Sequence, residues 1–335
     1  MLTPDQKDRF DKDGVVCLRG VLSNDEINAL RIAVDAQMAG LGTTKTGYDF
    51  EDIARQTWEP EKTMNTGPAD RFDMQVMKEA VLSDEAARPL LEDDLSSEEG
   101  CFFYDVAAWK KQRGVREVAF DSQLPSLVAS LIDAKSLNFW EDTTFVKSPG
   151  TRQKTAFHQD LAYFQIMGDQ CVIVWIALDP ADLSNGVTEY VRGSHKWGEV
   201  YAPNVFVSQT PLKKSPEQRC PDIEGHRDDY DIISFDVQPG DVIIHHVLTV
   251  HGAGGNMSDR MRRAVSFRYC GDQVRYYDRP GAIPQVGVDH SLTDGDRLIS
   301  RDYPHVWPKP WPEMNLADAY EVDFESRNEK RKKAA

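Results

Sequence analysis

Cysteine is scarce in this sequence, with five residues among 335. The thiols are odd in number and widely scattered, no C-x-x-C pair occurs, and they stand at Cys17, Cys101, Cys171, Cys220 and Cys270. This pattern argues against a disulfide framework and against a zinc site built from thiolates. It predicts a reducing compartment, the cytoplasm.

Long apolar segments are also missing. No run approaches the roughly 20 residues that a helix needs to span a bilayer, and the N-terminus lacks the apolar core of a signal peptide. We therefore expect a soluble protein that has no membrane partner.

Positive charge is in deficit, since 39 Lys and Arg residues stand against 55 Asp and Glu residues, for a formal net charge of −16. Such a surface repels phosphate backbones, so nucleic acid is not an expected partner. The charge does not identify a substrate, and the sequence leaves the oligomeric state open.

Hydrophobic residues (40%) and charged residues (28%) are at ordinary globular levels, so the chain can bury a core.

The first 135 residues predict mostly helix. Thr3 and Pro4 favour a helix that runs to about Asp13, followed by a short apolar strand over 14–18. Ser23 then provides capping chemistry for a second helix. Its apolar residues are Ile27, Leu30, Ile32 and Val34.

The segment between these helices and the β region is harder to interpret. Residues 40–115 mix acidic clusters, aromatic side chains and weak helical periodicity, and we interpret them as helices and loops packed beside the core. Residues 124–134 predict another amphipathic helix.

From Leu137 onward the pattern changes to short strands divided by turn sequences. The predicted strands are residues 137–147, 171–178, 187–191, 232–237, 242–250 and 264–270. Strands at this spacing favour a sandwich or a jelly-roll barrel of the cupin kind, and the fold class is mainly β with flanking helices. The β core spans 136–275, with a polar insertion at 196–231 and a C-terminal extension over 276–335.

A candidate metal motif occurs at His158-Gln159-Asp160. On an extended chain residues i and i+2 point to one side, so an imidazole and a carboxylate could reach the same ion. A second histidine is needed, and His251 is the best candidate because it ends the predicted strand 242–250 just before a run of glycines. His245 and His246 compete for that place, and His246 could instead orient a ligand. Two histidines and one carboxylate form the facial triad of non-haem iron(II) oxygenases.

These motifs together resemble the phytanoyl-CoA dioxygenase family of iron(II)/2-oxoglutarate oxygenases. The resemblance rests on His158-Gln159-Asp160, Asn185-Gly186, Gly193-Ser194-His195, Pro239-Gly240-Asp241, and His251-Gly252 with Asn256 and Arg262, in that order. It covers nearly the whole chain and is sharpest across 136–270. It implies a double-stranded β-helix core within a single oxygenase domain over residues 1–335.

The resemblance also implies residue roles. His158, Asp160 and His251 would bind Fe(II). Arg262 would pair with the far carboxylate of 2-oxoglutarate, with its neighbour Arg263 as the alternative, because a planar guanidinium matches a carboxylate. The cosubstrate pocket would be completed by Ser266 and Trp175. The chain departs from many relatives at Ala253, where they have serine, so a cosubstrate contact would be lost there.

The implied reaction consumes O2 and 2-oxoglutarate and hydroxylates a small-molecule substrate, with release of succinate and carbon dioxide. Halogenases similar to this family replace the ligand carboxylate by a small residue, so Asp160 favours hydroxylation or a related oxidation. Candidate substrate contacts are Phe157, Tyr163 and Arg192, with Glu189 near the mouth and Phe102, Phe103 and Tyr104 as part of a lid.

Two other classes compete with this interpretation. One is a non-catalytic cupin-like protein that binds a metal or small molecule, and the other is a zinc-dependent hydrolase that uses the same three ligands. Arg262 together with Ser266 argues against the first. Activity with zinc in the absence of dioxygen would identify the second.

Overall fold

The structure is a computed structural model that describes residues 2–40, 48–49, 100–204, 206–209, 211, 215–282, 285, 288 and 291–309. Four α-helices lie within these ranges: α1 Pro4–Asp13, α2 Asn24–Ala39, α3 Arg113–Asp121 and α4 Leu124–Leu131. None of them is long and apolar enough to cross a membrane.

The first two helices begin where the sequence predicts. Thr3 and Ser23 each accept a hydrogen bond from the backbone of the third helical residue, and the Gln6 or Glu26 side chain at that position returns one to the capping backbone. Gly14 ends α1 with a φ of 76°, a left-handed conformation that glycine adopts without strain. Along α2 the residues Ile27, Leu30 and Val34 are buried, whereas Ile32 is 72% exposed because it lies off their face.

Fourteen β-strands lie in the described part of the chain. They are β1 Val15–Leu18, β2 Tyr48–Asp49, β3 Phe102–Val106, β4 Leu137–Lys147, β5 Thr155–His158, β6 Ile166–Met167, β7 Cys171–Ala177, β8 Thr188–Val191, β9 Ile232–Ser234, β10 Val242–His246, β11 His251–Ala253, β12 Arg262–Gly271, β13 Arg275–Tyr276 and β14 His305–Trp307. The large sheet has the order β1-β10-β7-β12-β4-β3-β2, with β14 also paired to β4. The small sheet has the order β5-β11-β8-β9, and β13 pairs with β6. The pairings are antiparallel.

The alternation of side chains along the large sheet separates two environments. Val174 of β7, with Val265 and Phe267 of β12, belongs to the hydrophobic core that also contains residues of all four helices. The alternate residues Trp175 and Ser266 point to the opposite side and line an interior cavity. Each central strand is therefore buried on both faces, with a dry core beneath the helices and a polar cavity on the other side.

The predicted fold class is confirmed, but two predicted strands end early: the run 232–237 is a strand only to Ser234, and the run 242–250 only to His246. The run 242–250 does not form a single strand, because β10 ends at His246 and the Thr249 backbone N–H closes a turn onto the His246 carbonyl. The chain then changes sheets, so His251 begins β11 rather than following β10. Periodicity alone could not show this, since Val247 and Val250 are fully buried within the turn.

The segment 40–115 was only partly interpretable. Residues 41–47 and 50–99 lie outside the described residues, as does the tail 310–335. Within the described part, Phe102–Val106 is a strand of the large sheet and not the helix or loop that we predicted, and α3 follows at Arg113. All five residues of that strand are buried, which hides the alternation by which a strand is recognised.

Candidate metal centre and active site

Three predicted ligands meet where β5 and β11 pair. His158 is the last residue of β5 and stands opposite His251 in the register, and Asp160 follows one extended residue later. One carboxylate oxygen lies 3.9 Å from His158 Nε2 and the other lies 3.7 Å from His251 Nε2. Each residue offers one ligand atom, and the three atoms lie within 4.8 Å of one another. This geometry suits a single ion bound on one face.

The intervening residue, Gln159, points away from the centre. Its side-chain amide donates to the carbonyl oxygens of Leu248 and Glu199, and its oxygen accepts from the Tyr201 N–H. These bonds hold the extended conformation that brings His158 and Asp160 to one side.

The hydrogen bonds of the two imidazoles involve Nδ1 and leave Nε2 of each ring able to bind a metal. His158 Nδ1 lies 2.7 Å from the Ala156 carbonyl oxygen, and His251 Nδ1 lies 2.9 Å from that of Thr249. Because a carbonyl only accepts, each Nδ1 must carry the proton and each Nε2 must present a lone pair.

Burial sets the charge state of the centre. It lowers the pKa of both His158 and His251 to about 4, so both rings are neutral at neutral pH, as metal ligation requires. Burial alone would raise the pKa of Asp160, but the neighbouring His251 and the hydrogen bond from His245 outweigh it and hold that pKa well below its usual range. The site thus combines two neutral imidazoles with one carboxylate.

The neighbouring histidines of β10 have different surroundings. His245 is 2% exposed and its Nε2 lies 3.1 Å from Asp160 Oδ2, yet it is not part of the group of ligand atoms that lie within 4.8 Å of one another. His246 points to the opposite side of the strand and packs near Phe10 and His195. The orienting place that we suggested for His246 therefore belongs to His245, because adjacent strand residues face opposite ways.

The same alternation separates the two arginines at the start of β12. Arg262 lines the cavity and is 3% exposed, and within the described ranges its Nε has no hydrogen-bond partner. Burial lowers the pKa of Arg262 to about 10, so it stays a cation. Arg263 faces the helices and forms ion pairs with Asp179 and Asp35 at 2.9 and 2.7 Å. Of the two, Arg262 is the one positioned to meet a ligand.

The two other predicted cosubstrate residues lie in the same cavity. Ser266 and Trp175 are register partners on β12 and β7, both are buried, and both line the cavity with Arg262. The cavity encloses about 850 Å³ of space, part of which is open to solvent.

The predicted substrate residues are only partly placed at this cavity. Tyr163 lines it and meets the His158 ring edge-on at 5.4 Å. Phe157 does not line it, because it alternates with His158 and is buried in a separate cluster with Val191 and Val250. Arg192 also lies outside, where it forms ion pairs with Asp13 and Asp231.

The other residues suggested for the mouth divide in the same way. Glu189 does not line the cavity and instead forms an ion pair with Arg227. Phe102 and Tyr104 of β3 line the cavity wall, whereas Phe103 between them packs into the core beneath the helices. All three are strand residues and not part of a lid.

The insertion between β8 and β9 reaches the metal centre. Phe206 lines the cavity, and its ring centroid lies 5.3 Å from that of His158. Tyr163 donates its hydroxyl hydrogen to Asn204 Oδ1 and accepts from the Asn204 N–H. The Ala156 N–H donates to the Phe206 carbonyl, which fixes the insertion to β5.

Sequence reasoning missed several cavity residues. They include Glu141, Phe145, Thr188 and Arg268, together with Phe164 and Phe206 from loops. Strand alternation from Arg262 and Ser266 would have found Arg268, which lies on the same face of β12. No sequence pattern pointed to Phe206, because loop residues carry no such period.

Comparison with known proteins places this geometry in a family. The model of the phytanoyl-CoA dioxygenase (PhyH) family matches residues 10–264, about three quarters of the chain. The chain belongs to the phytanoyl-CoA dioxygenase family. It is thus an iron(II)/2-oxoglutarate-dependent dioxygenase, and the enzyme class and cofactors predicted from the motifs are confirmed.

Individual members and neighbours are distant. Phytanoyl-CoA dioxygenase domain-containing protein 1 of Bos taurus is 25% identical over 278 residues, which are 79% of this chain and 89% of that protein. The crystal structure of the non-haem α-ketoglutarate-dependent carbocyclase SnoK from nogalamycin biosynthesis has a TM-score of 0.59 at 20% identity, covering 91% of this chain and 96% of that one. The epimerase SnoN, solved with Fe3+, α-ketoglutarate and nogalamycin RO, has a TM-score of 0.57 at 20% identity and covers 90% and 97%. At these identities the structural likeness supports the shared jelly-roll fold alone.

Proposed function

We propose that this phytanoyl-CoA dioxygenase family member hydroxylates a small organic molecule at an iron(II) ion bound by His158, Asp160 and His251. The observation that carries the proposal is the convergence of two imidazole Nε2 atoms and one carboxylate in a cavity that also contains an unpaired buried arginine. The donor set fits iron, since this triad leaves coordination positions open for a cosubstrate and dioxygen. Asp160 occupies the ligand position that a halogenase would leave open for halide, so we assign hydroxylation or a related oxidation.

We assign 2-oxoglutarate to Arg262, Ser266 and Trp175. A buried guanidinium whose Nε has no partner among the described residues is costly unless a ligand completes its hydrogen bonds, and a carboxylate does so in a planar geometry. Ser266 offers a hydroxyl on the same strand face, and Trp175 forms a flat wall beside it. These contacts would fix one end of the cosubstrate and leave its other end for the metal.

Each protein group then has a defined task in the reaction. When bound, iron(II) and 2-oxoglutarate supply an oxidant made from dioxygen, with release of succinate and carbon dioxide. Asp160 provides negative charge to the ion, and the neutral imidazoles hold its geometry. Phe102, Phe145 and Phe206 line the cavity with apolar rings and limit the access of water. The cytoplasm remains our proposed compartment, supported by the scattered cysteines.

The test is an anaerobic titration of the metal-free protein with iron(II) and 2-oxoglutarate, monitored by the visible charge-transfer absorption of the chelate. We expect the band in the wild-type protein and in His246→Ala, whose histidine lies outside the cavity, and not in His158→Ala. Tight metal binding with no band would contradict the proposal and favour the cupin-like binding protein. Substrate turnover with zinc in the absence of dioxygen would favour the hydrolase.

A further inference from the structure

A second buried arginine faces the same cavity. Arg268 lies six positions after Arg262 on the same face of β12, and it is 6% exposed. In the sheet, Arg268 pairs with Ile173 of β7, and Ile173 pairs in turn with His245 of β10. The His245 side chain contacts Asp160. Six residues of strand span about 20 Å. Arg268 therefore lies at the level of the metal centre, and Arg262 is well separated from it along the strand.

Among the described residues, one edge of the Arg268 guanidinium has no hydrogen-bond partner. Its Nη1 donates to Thr143 Oγ1 at 2.5 Å, and its central carbon lies 5.4 Å from the ring centroid of Phe164. Its Nε is buried, and no group in the described part of the chain forms a hydrogen bond with it. The Nε and Nη2 hydrogens form the side edge of the guanidinium, and that edge is the usual place for a carboxylate with two parallel hydrogen bonds.

No counter-charge in the described part of the chain forms an ion pair with Arg268. Glu141 stands opposite it in the β4–β12 register and also lines the cavity, but no ion pair joins the two. The nearby Asp160 carboxylate attracts the Arg268 charge through space, but within the described residues it forms no ion pair with the guanidinium. A buried guanidinium with no ion-pair partner is rare in proteins, because attraction through space only partly offsets its desolvation. A ligand anion in direct contact would supply the missing partner.

We infer that Arg268 binds a carboxylate, or an equivalent planar anionic group, of the organic substrate. This rests on the proposed function, since the cosubstrate carboxylate is assigned to Arg262 and the metal to His158, Asp160 and His251. A substrate anchored by Arg268 would lie beside the open side of the metal centre, with Phe164 against its apolar part. The substrate class is thus an organic acid.

The experiment uses the protein loaded with iron(II) and 2-oxoglutarate without dioxygen. The probes are hexanoate, benzoate and phenylacetate, each compared with its primary amide, and the readout is the dissociation constant from the change in the chelate absorption. We expect at least one acid to bind about tenfold or more tightly than its amide, as loss of a charge-assisted pair implies. Arg268→Gln should abolish this preference, and Arg268→Lys should retain part of it.

Arg192→Gln is the matched control, because it removes an arginine that lies outside the cavity and should leave the preference unchanged. Thermal unfolding of each variant shows that it is folded, and the comparison of acid with amide in the wild-type protein tests the inference without any substitution. Equal binding of acids and amides, or no binding of either, would overturn it, as would a preference that survives Arg268→Gln. Weaker 2-oxoglutarate binding in Arg268→Gln would move Arg268 to the cosubstrate site. Absence of the chelate band in the wild-type protein would instead contradict the proposed function.

Discussion

His245 Nε2 lies 3.1 Å from Asp160 Oδ2, on the side of the carboxylate that faces β10. An ionised carboxylate only accepts, so His245 must donate its Nε2 hydrogen and thereby fix the orientation of Asp160. Burial lowers the pKa of His245, so the ring holds this bond in its neutral form. His245 is not one of the three predicted ligands, but its hydrogen bond helps to set the orientation of Asp160 within the ligand set.

Replacing His245 should therefore weaken metal binding. We expect His245→Phe to raise the dissociation constant for iron(II) or cobalt(II) by about 10- to 100-fold, the usual cost of losing a residue that orients a metal ligand. His245→Gln, which keeps a donor, should have a smaller effect. Competition with a coloured chelator measures the affinity, and His246→Phe is the control on the opposite strand face. Equal affinity in His245→Phe and the wild-type protein would show that Asp160 needs no such support.

The two adjacent arginines should separate cosubstrate binding from stability. Arg262→Gln should weaken 2-oxoglutarate binding on the order of 100-fold, because a charge-assisted pair is lost, with little change in the free energy of unfolding. Arg263→Gln should do the reverse, since it removes the partly buried ion pairs with Asp179 and Asp35, at a cost of about 1–2 kcal/mol. Anaerobic titration and urea unfolding provide the two measurements. If Arg263→Gln instead weakened 2-oxoglutarate binding, Arg263 and not Arg262 would be the cosubstrate residue.

Asp241 should make a pH-dependent contribution to stability. Its burial would raise its pKa, but hydrogen bonds from the Gln238 N–H, Arg19 and the Gly20 N–H outweigh this and lower it. A carboxyl whose folded pKa is depressed stabilises the protein above its unfolded pKa of about 4 and loses that contribution as the pH falls through the folded value.

We therefore expect Asp241→Asn to lower the free energy of unfolding by about 1–2 kcal/mol at pH 7. The difference from the wild-type protein should shrink as the pH falls below about 4. Urea midpoints measured between pH 7 and pH 3 test this. A difference that does not change with pH would mean that the Asp241 charge has no part in it.

The hydroxyl of Tyr163 should hold the insertion in place over the metal centre. Tyr163→Phe removes the two hydrogen bonds with Asn204, and their loss of about 1–2 kcal/mol should raise the opening rate of the insertion about tenfold. Trypsin cleavage after the exposed Arg219 reports this opening. Tyr201→Phe, in which another insertion tyrosine loses its hydroxyl, is the control. Unchanged cleavage of Tyr163→Phe would show that other contacts hold the insertion.

Much of the fold and of the metal centre could be predicted from local pattern. Thr3 and Ser23 mark helix starts because capping is a property of a few adjacent residues. His158 and Asp160 share a side because the period of an extended chain is two. Arg262 could be proposed from its spacing to His251 within the family motif. Strand alternation further indicated that Arg262 and its neighbour Arg263 project to opposite sides of the strand, so that only one of them could face the cavity.

The rest depended on how the two sheets are placed. Alternation shows that His245 and His246 face opposite ways, but only the contact between β10 and the chain after β5 decides which of them touches Asp160. The same holds for Phe157, which turns away from the cavity, and for Phe206, which enters it from a loop. Local sequence sets the side on which a residue projects from its own strand. What lies on that side is set by residues far away in the chain, because the cavity is formed by segments that meet only after folding.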